Sequence, residues 1–261
     1  MNTEHEKDLQ ETFSWARTKM FSDYNGVLGY YQAKTCLEHA RGRSLLDMPC
    51  GDGALTALLA PAFDSVVGID ASSQHLALAR QNLPTAQFHE ALIEEFETSQ
   101  RFDTITMINI LEHVVDPIEV LRKAAALLSP NGILLVHVPN ANAINRRLAV
   151  LMGTLINCEE LSPFDLQVVG HRRSYALASL RKDIESAGLR INATGGVFYK
   201  SLSTPQMDWF LKNGPWQEGG FGWGRVGAEK KDWKAEFCRA SYELGKQRPE
   251  DCNIIYACIT R

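Results

Sequence analysis

The chain has 261 residues and a formal net charge of −4 at pH 7, from 27 Lys and Arg against 31 Asp and Glu. That balance argues against a surface built around nucleic-acid phosphates. The 45% hydrophobic content provides for a sizeable core, yet no stretch is apolar enough to span a bilayer. Six scattered cysteines (Cys36, Cys50, Cys158, Cys238, Cys252 and Cys258) show no C-x-x-C pair or zinc spacing, which predicts free thiols in a reducing cytoplasm. The start, Met1-Asn-Thr-Glu-His-Glu-Lys-Asp-Leu, is charged and carries no apolar signal core.

In chain order, residues 5–41 predict one or two amphipathic helices broken at Ser22-Asp-Tyr-Asn-Gly26. Strands follow at 44–48, 65–70, 86–89, 103–108 and 132–138, then at 190–198 and 252–259. Helices are predicted over 53–60, 73–82, 117–128, 177–187 and 229–246. Ser129-Pro-Asn-Gly132 and Ala187-Gly188 are well-marked helix stops. The alternation predicts an α/β, doubly wound sheet with helices on both faces. Residues 139–175 interrupt the rhythm, and 199–250 form an insertion containing the Trp- and Gly-rich run Asn213–Gly224, expected to be a packed or lid-like loop before the helix. One domain is expected, with a helical cap over 1–41, a core over 42–198, a lid over 199–250 and a last strand over 251–261.

The informative stretch is Ser44-Leu-Leu-Asp-Met-Pro-Cys-Gly-Asp-Gly53. A buried-type strand ends in Asp47 and turns through Gly51 and Gly53 into a helix. The next strand, Ser65-Val-Val-Gly-Ile-Asp70, ends in another acid. A strand, Gly turn, helix and acid-ended strand is how α/β folds hold an adenosine, the acid binding ribose hydroxyls. A pyrophosphate-binding loop wants G-x-G-x-x-G, but aligned on Gly51 this loop reads Pro49-x-Gly51-x-x-Ala54. Asp47 would also repel a neighbouring phosphate, so a cationic, phosphate-free ligand suits Asp47, Asp52 and Asp70 better than a nicotinamide dinucleotide.

The segment Leu45-Leu-Asp-Met-Pro-Cys-Gly-Asp-Gly53 resembles the L-D-x-G-C-G-x-G motif of class I S-adenosylmethionine-dependent methyltransferases, with Pro49 in the first glycine's place. Phe102-Asp-Thr-Ile-Thr-Met-Ile-Asn-Ile-Leu-Glu-His-Val-Val-Asp-Pro117 resembles the family's F-D-x-I-x-x-x-x-x-L-E-H-V-x-D-P. The resemblance covers roughly 40–195. It implies a Rossmann-like, seven-stranded sheet with the last strand antiparallel, and S-adenosylmethionine as cofactor. It places Asp47, Pro49, Cys50, Gly51, Gly53, Asp70, Ala71, Ala91, Leu92, Ile108 and Asn109 at the cofactor. Asp70 has a competing role as cap of helix 73–82, although Ser72 can take that cap itself. Ala91 and Leu92 stand where the family's chain passes the adenine, and Ile108 and Asn109 where it lines the methionine end.

His113 falls beside the methyl position, either as a base or as a structural histidine bonded to backbone. Some relatives carry E-x-x-E-H here plus a distant histidine and bind a divalent ion. This chain reads Asn109-x-x-Glu112-His113 with His171 downstream, and the missing carboxylate argues against a metal. Gly170-His-Arg-Arg-Ser-Tyr175 makes His171 the leading general base, with Tyr175 and Arg172 orienting the acceptor. Their alternatives are solvated arginines and a tyrosine packed on the following helix. Tyr24 and Tyr31, with Phe21 and Tyr30, are expected to close over the site, and Phe198, Tyr199, Lys200, Trp209 and Trp216 to wall the acceptor. Arg146-Arg147 and Arg172-Arg173 point to an anionic acceptor.

The activity expected is methyl transfer to an O or N nucleophile of a small molecule, by likeness to ubiquinone-biosynthesis O-methyltransferases and to enzymes of sugar, polysaccharide or secondary-metabolite pathways. The alternatives are a nucleic-acid or protein methyltransferase, a non-catalytic S-adenosylmethionine-binding module and a nicotinamide oxidoreductase. The fourth strand lacks the [DN]-P-P-[YF] motif of amino-group methylation of nucleic acids. A small-molecule acceptor, no nucleic acid, no membrane span and a monomer or homodimer are the partner expectations.

Overall fold

The computed structural model describes residues 7–8, 20–218 and 232–261. Its helix α1 spans Ser22–His39. Phe21 just ahead of it sits in the left-handed region at φ 53°, so Ser22–Gly26 is the first turn of a helix and not a break. Residues 9–19 of the expected cap lie outside the described residues. Along α1 the buried side chains Tyr24, Leu28, Tyr31, Gln32 and Thr35 recur at helical spacing, so one face packs inward.

The strands are β1 Ser44–Asp47, β2 Ser65–Asp70, β3 Gln87–Glu90, β4 Phe102–Ile108, β5 Leu128–Pro139, β6 Arg190–Val197 and β7 Ile254–Thr260. They form one seven-stranded sheet in the order β3-β2-β1-β4-β5-β7-β6. Pairs from β3 to β5 are parallel, and β7 runs antiparallel to both β5 and β6. This is the Rossmann-like sheet that the motifs implied.

The α-helices that follow α1 among the described residues are α2 Ala54–Leu59, α3 Ser73–Asn82, α4 Pro117–Ala126, α5 Ile144–Leu151, α6 Leu177–Ser186, α7 Thr204–Asn213 and α8 Trp233–Gln247. Ser72 caps α3, its hydroxyl accepting from the His75 N–H at 3.2 Å. Asp116 caps α4 ahead of Pro117, accepting from Ile118 and Glu119. The fourth helix stops two residues sooner than its sequence indicates, and β5 starts sooner, because Leu128 pairs with Phe102. Gly132 is needed within that strand, since an added Cβ would stand 2.8 Å from the Phe102 carbonyl.

The insertions also differ from expectation. Residues 139–175 contain α5 and a π-helical turn at Phe164–Val168. Residues 199–218 are not a loop but carry α7, which packs on α1. The remainder of the Trp- and Gly-rich run, from 219, lies outside the described residues.

Strand side chains alternate between two cores. Leu46, Leu134, Val136, Ile255 and Ala257 pack on one face with α4 and α6. Leu45, Leu135, Ile254, Tyr256 and Cys258 pack on the other with Tyr31 and Cys36 of α1, Met207 of α7 and Tyr242 of α8. The N-terminal helix and the insertion helices thus supply the second layer of the sheet. Among the described residues, no helix is long and apolar enough to cross a membrane.

Candidate active site

The C-terminal ends of β1, β2, β4 and β5 face one side of the molecule, where open α/β sheets bind ligands. Asp47 closes β1 and is 1% exposed. Its Oδ2 accepts from the Thr56 hydroxyl at 2.6 Å and its Oδ1 from the Thr106 hydroxyl at 2.7 Å. Burial pushes its carboxyl up to about 6, against the lowering effect of the two threonines. Asp47 therefore ties the loop to α2 and β4. Gly51 and Gly53 adopt φ of +54° and +76°. A Cβ on Gly53 would meet Ala79 Cα at 2.9 Å, whereas one on Gly51 would meet nothing within 4 Å. The loop thus packs its second glycine on α3 and leaves bare backbone toward open space at its first.

Asp70, at the end of β2, holds that backbone in place. Its Oδ2 accepts from the Gly51 N–H and its Oδ1 from the Ser72 N–H, both at 2.9 Å. His75 Nδ1 also stands 3.6 Å from Oδ1. Ser72 takes the helix cap, leaving Asp70 to the loop. Ala71 follows Asp70. Cys50 and Leu92 are buried, and the Ala91 N–H donates to the Asp70 carbonyl at 3.1 Å. Cys50 donates its backbone N–H to Ile69, and burial pushes its thiol well up. At the end of β4, Ile108 is buried and Asn109 takes φ +53°, a conformation Asn tolerates. Its side-chain oxygen accepts from Gln32 Nε2 at 3.3 Å. The bare Gly51 backbone, Asp70 and Asn109 fit an adenosine ligand whose far end reaches β4.

Beyond Asn109 lies a cavity of about 470 Å³. Its walls come from the start of α1, the turn after β4, the segment after β5, the 162–171 loop and residues 200–205. Asn109, Glu112, His113, Asp165, His171 and Lys200 are its polar lining relevant to chemistry. His113 and His171 meet edge to face at 4.8 Å. His113 Nδ1 stands 3.2 Å from the Gly170 carbonyl, the backbone contact that its structural alternative requires. Glu112 Oε1 is 3.8 Å from His113 Nε2. Ligand atoms of Glu112, His113 and His171 all lie within 4.8 Å of one another.

His171 Nδ1 is 3.5 Å from Asp165 Oδ1. Burial works to raise the Asp165 carboxyl, but hydrogen bonds from His171 and Ser162 and the charge of Arg146 hold it well below the usual carboxylate range. Asp165 escaped the sequence reading. Its only local signal is Ser162-x-x-Asp165, and Ser162 does donate both its N–H and its hydroxyl to that carboxylate at 2.8 Å.

Other expected residues stand elsewhere. The Tyr175 hydroxyl donates to Asp183 of α6 at 2.8 Å, and the ring is buried in the core, so it packs on the helix instead of orienting an acceptor. Arg172 is exposed and outside the cavity wall. Arg173 donates to the carbonyls of Leu111 and Val114 at 2.6 and 2.5 Å and of Val115 at 3.0 Å, pinning the turn that carries His113. Tyr24 lines the cavity, while Tyr31 stacks on Tyr242 at 4.6 Å and Tyr199 faces a separate groove with Phe210 and Phe237. Trp209 is exposed, and Trp216 packs against Phe210 at 4.8 Å. Phe198 is wholly buried against Tyr24 and Tyr31. Arg146 pairs with Asp165 at 3.2 Å and donates to the Cys158 and Glu160 carbonyls, and Arg147 pairs with Asp251 at 2.6 Å.

Known proteins share this arrangement. A family model described as a methyltransferase domain matches residues 9–194. A ubiquinone biosynthesis O-methyltransferase of Aeromonas salmonicida (strain A449) is 31% identical over 169 residues, covering 62% of this chain and 69% of that protein. One from Actinobacillus pleuropneumoniae serotype 7 (strain AP76) is 34% identical over 128 residues, covering 45% of this chain and 53% of that protein. The chain spans about half the length of such curated relatives. Among solved structures, a possible histamine N-methyltransferase of Thermotoga maritima superposes with a TM-score of 0.64 at 12% identity, over 98% of this chain and 99% of that one. At that identity the likeness speaks for the fold alone. The family match, extending over more than half of the residues, and the overlap with the Aeromonas protein show that this chain belongs to the class I S-adenosylmethionine-dependent methyltransferases, with S-adenosylmethionine as the family's cofactor.

Proposed function

We propose that the chain methylates an O or N nucleophile of a small molecule seated in the cavity beyond Asn109. The observation that carries this is the cavity itself. Its volume of about 470 Å³ lies within the range typical of small-molecule sites, and it lies between the end of β4 and the His171–Asp165 pair. The relatives' names favour oxygen as the acceptor atom.

When bound, S-adenosylmethionine supplies an electrophilic methyl group on a sulfonium, which departs as a neutral thioether as the acceptor–carbon bond forms. The chain's residues do the rest. Gly51 backbone and Asp70 hold the nucleoside side, and Asn109 marks the boundary with the acceptor. Asp165 fixes His171 with its proton on Nδ1, so the basic lone pair is on Nε2. His171 accepts the proton that the acceptor hydroxyl loses. His113, turned to the Gly170 carbonyl, positions the ring beside it. Much of the remaining rate comes from alignment in an enclosed site.

A second reading has Glu112, His113 and His171 hold a divalent ion, favoured by their convergence. In that case Asp165 orients a metal ligand and not a base. The governing test incubates the protein with methyl-labelled S-adenosylmethionine and separate pools of small metabolites, RNA and protein. Label in the small-molecule pool is expected. Label confined to RNA or protein, or binding without transfer to any pool, defeats the proposal.

A further inference from the structure

Lys200 lines the acceptor cavity yet is only 4% exposed. Its Nζ donates to the Thr204 hydroxyl at 2.8 Å and lies 4.6 Å above the Tyr24 ring. Among the described residues no carboxylate pairs with it. A buried ammonium without a counter-ion is costly and is seldom kept without a use. Burial and the charge of Arg146 bring its amine down to about 7, so the site holds that proton weakly until an anion arrives.

Two further donors share this end of the cavity. Tyr24 is 2% exposed, and its hydroxyl has no hydrogen-bond partner among the described residues. The first residues of α7, Thr204 and Pro205, line the same wall, bringing the positive end of a ten-residue helix to it. Of the four arginines that the sequence offered for an anion, Arg146 is committed to Asp165 and two carbonyls, Arg147 to Asp251 and Arg173 to three carbonyls, and Arg172 lies outside the cavity wall. Among the described residues that line the cavity, Lys200 is the one Lys or Arg not paired with a carboxylate, and Asp165 and Glu112 border the same cavity. That balance favours a singly charged ligand over a phosphate dianion.

We infer that Lys200, with Tyr24 and Thr204, is the specificity determinant of the acceptor site and binds a carboxylate of the substrate. The acceptor is then a hydroxy or amino acid in the broad chemical sense, carrying the nucleophile toward His171 and the carboxylate toward Lys200. This rests on the small-molecule reading above and narrows it.

The test titrates the full chain, loaded with S-adenosylhomocysteine, with 4-hydroxybenzoate, with the isosteric neutral 4-hydroxybenzamide and with inorganic phosphate. The carboxylate is expected to bind about ten- to a hundredfold tighter than the amide, as for a charge-assisted hydrogen bond in a buried site. Lys200→Met is expected to erase that preference and leave S-adenosylhomocysteine affinity intact. The comparison in the unsubstituted protein stands even where the variant fails to fold. Equal affinity for acid and amide, no binding of the acid at millimolar concentration, a preference that survives Lys200→Met, or tighter binding of phosphate each overturns the inference. Methyl transfer to neutral small molecules alone sinks this inference while sparing the proposed activity. Absence of transfer to any small molecule sinks that activity instead.

Discussion

The Asp165 carboxylate stands 3.5 Å from Nδ1 of His171, and both residues line the acceptor cavity. His171→Ala is expected to lower kcat by roughly 10²–10⁴-fold, the usual worth of a positioned base, with S-adenosylhomocysteine affinity unchanged. Near-normal turnover at saturating acceptor rejects the assignment. Asp165 adds a stability signature. Its folded-state pKa is depressed, so its stabilisation is complete above the ordinary carboxylate value of about 4 and is lost as pH falls below it. The melting-temperature difference between the native protein and Asp165→Asn should shrink across that acid range; a difference independent of pH argues against the ion pair.

Excess EDTA separates the two roles open to His171. With His171 as base, turnover persists in the chelator. Loss of turnover, restored by adding back a divalent ion, assigns Glu112, His113 and His171 as ligands instead.

Asp70 receives the N–H groups of Gly51 and Ser72 and thereby shapes the loop. Asp70→Ala is expected to weaken S-adenosylhomocysteine binding by about ten- to a hundredfold, the worth of charged hydrogen bonds. Calorimetry measures this directly, and affinity within twofold of the native value removes Asp70 from the cofactor site.

Asp47 gives the opposite pH sign. Its folded-state pKa is raised to about 6, so the folded chain binds the extra proton between the unfolded value, about 4, and 6. Stability attributable to Asp47 therefore falls as pH rises through that window and is level above it, a change of roughly 3 kcal/mol at most. Asp47→Asn retains a side chain able to bond both threonines, and should melt higher than the native protein above pH 6 with no advantage below 4. Denaturant midpoints at the two pH values decide it.

What the sequence made legible was what lies close along the chain. Asp47, Gly53 and Asp70 belong to one strand–turn–helix–strand unit, and their spacing alone implied their places. The acceptor side resisted because its partners are remote. Arg147 meets Asp251 and Arg173 meets carbonyls some sixty residues away, so arginines that read as anion sites turn out to be clamps. Tyr175 read first as orienting the acceptor, and its alternative, packing on the following helix, is the one found, because its hydroxyl reaches Asp183. Helix α7 did carry a signal, Ser203 with Gln206 three residues on, but the glycines after it dominated the reading. Lys200 was expected at the acceptor wall and does line the cavity, but its burial under α1 and α7 could not be read from its neighbours in sequence.

Arg173 carries one more consequence. A single guanidinium gathers the carbonyls of Leu111, Val114 and Val115, while the Arg172 N–H donates to the Glu112 carbonyl at 2.8 Å. Two loops distant in sequence are thereby latched together, and opening either one requires releasing the same set of bonds. Their amides should exchange with solvent at a common rate, as one cooperative unit. The two histidines would then enter and leave working geometry together.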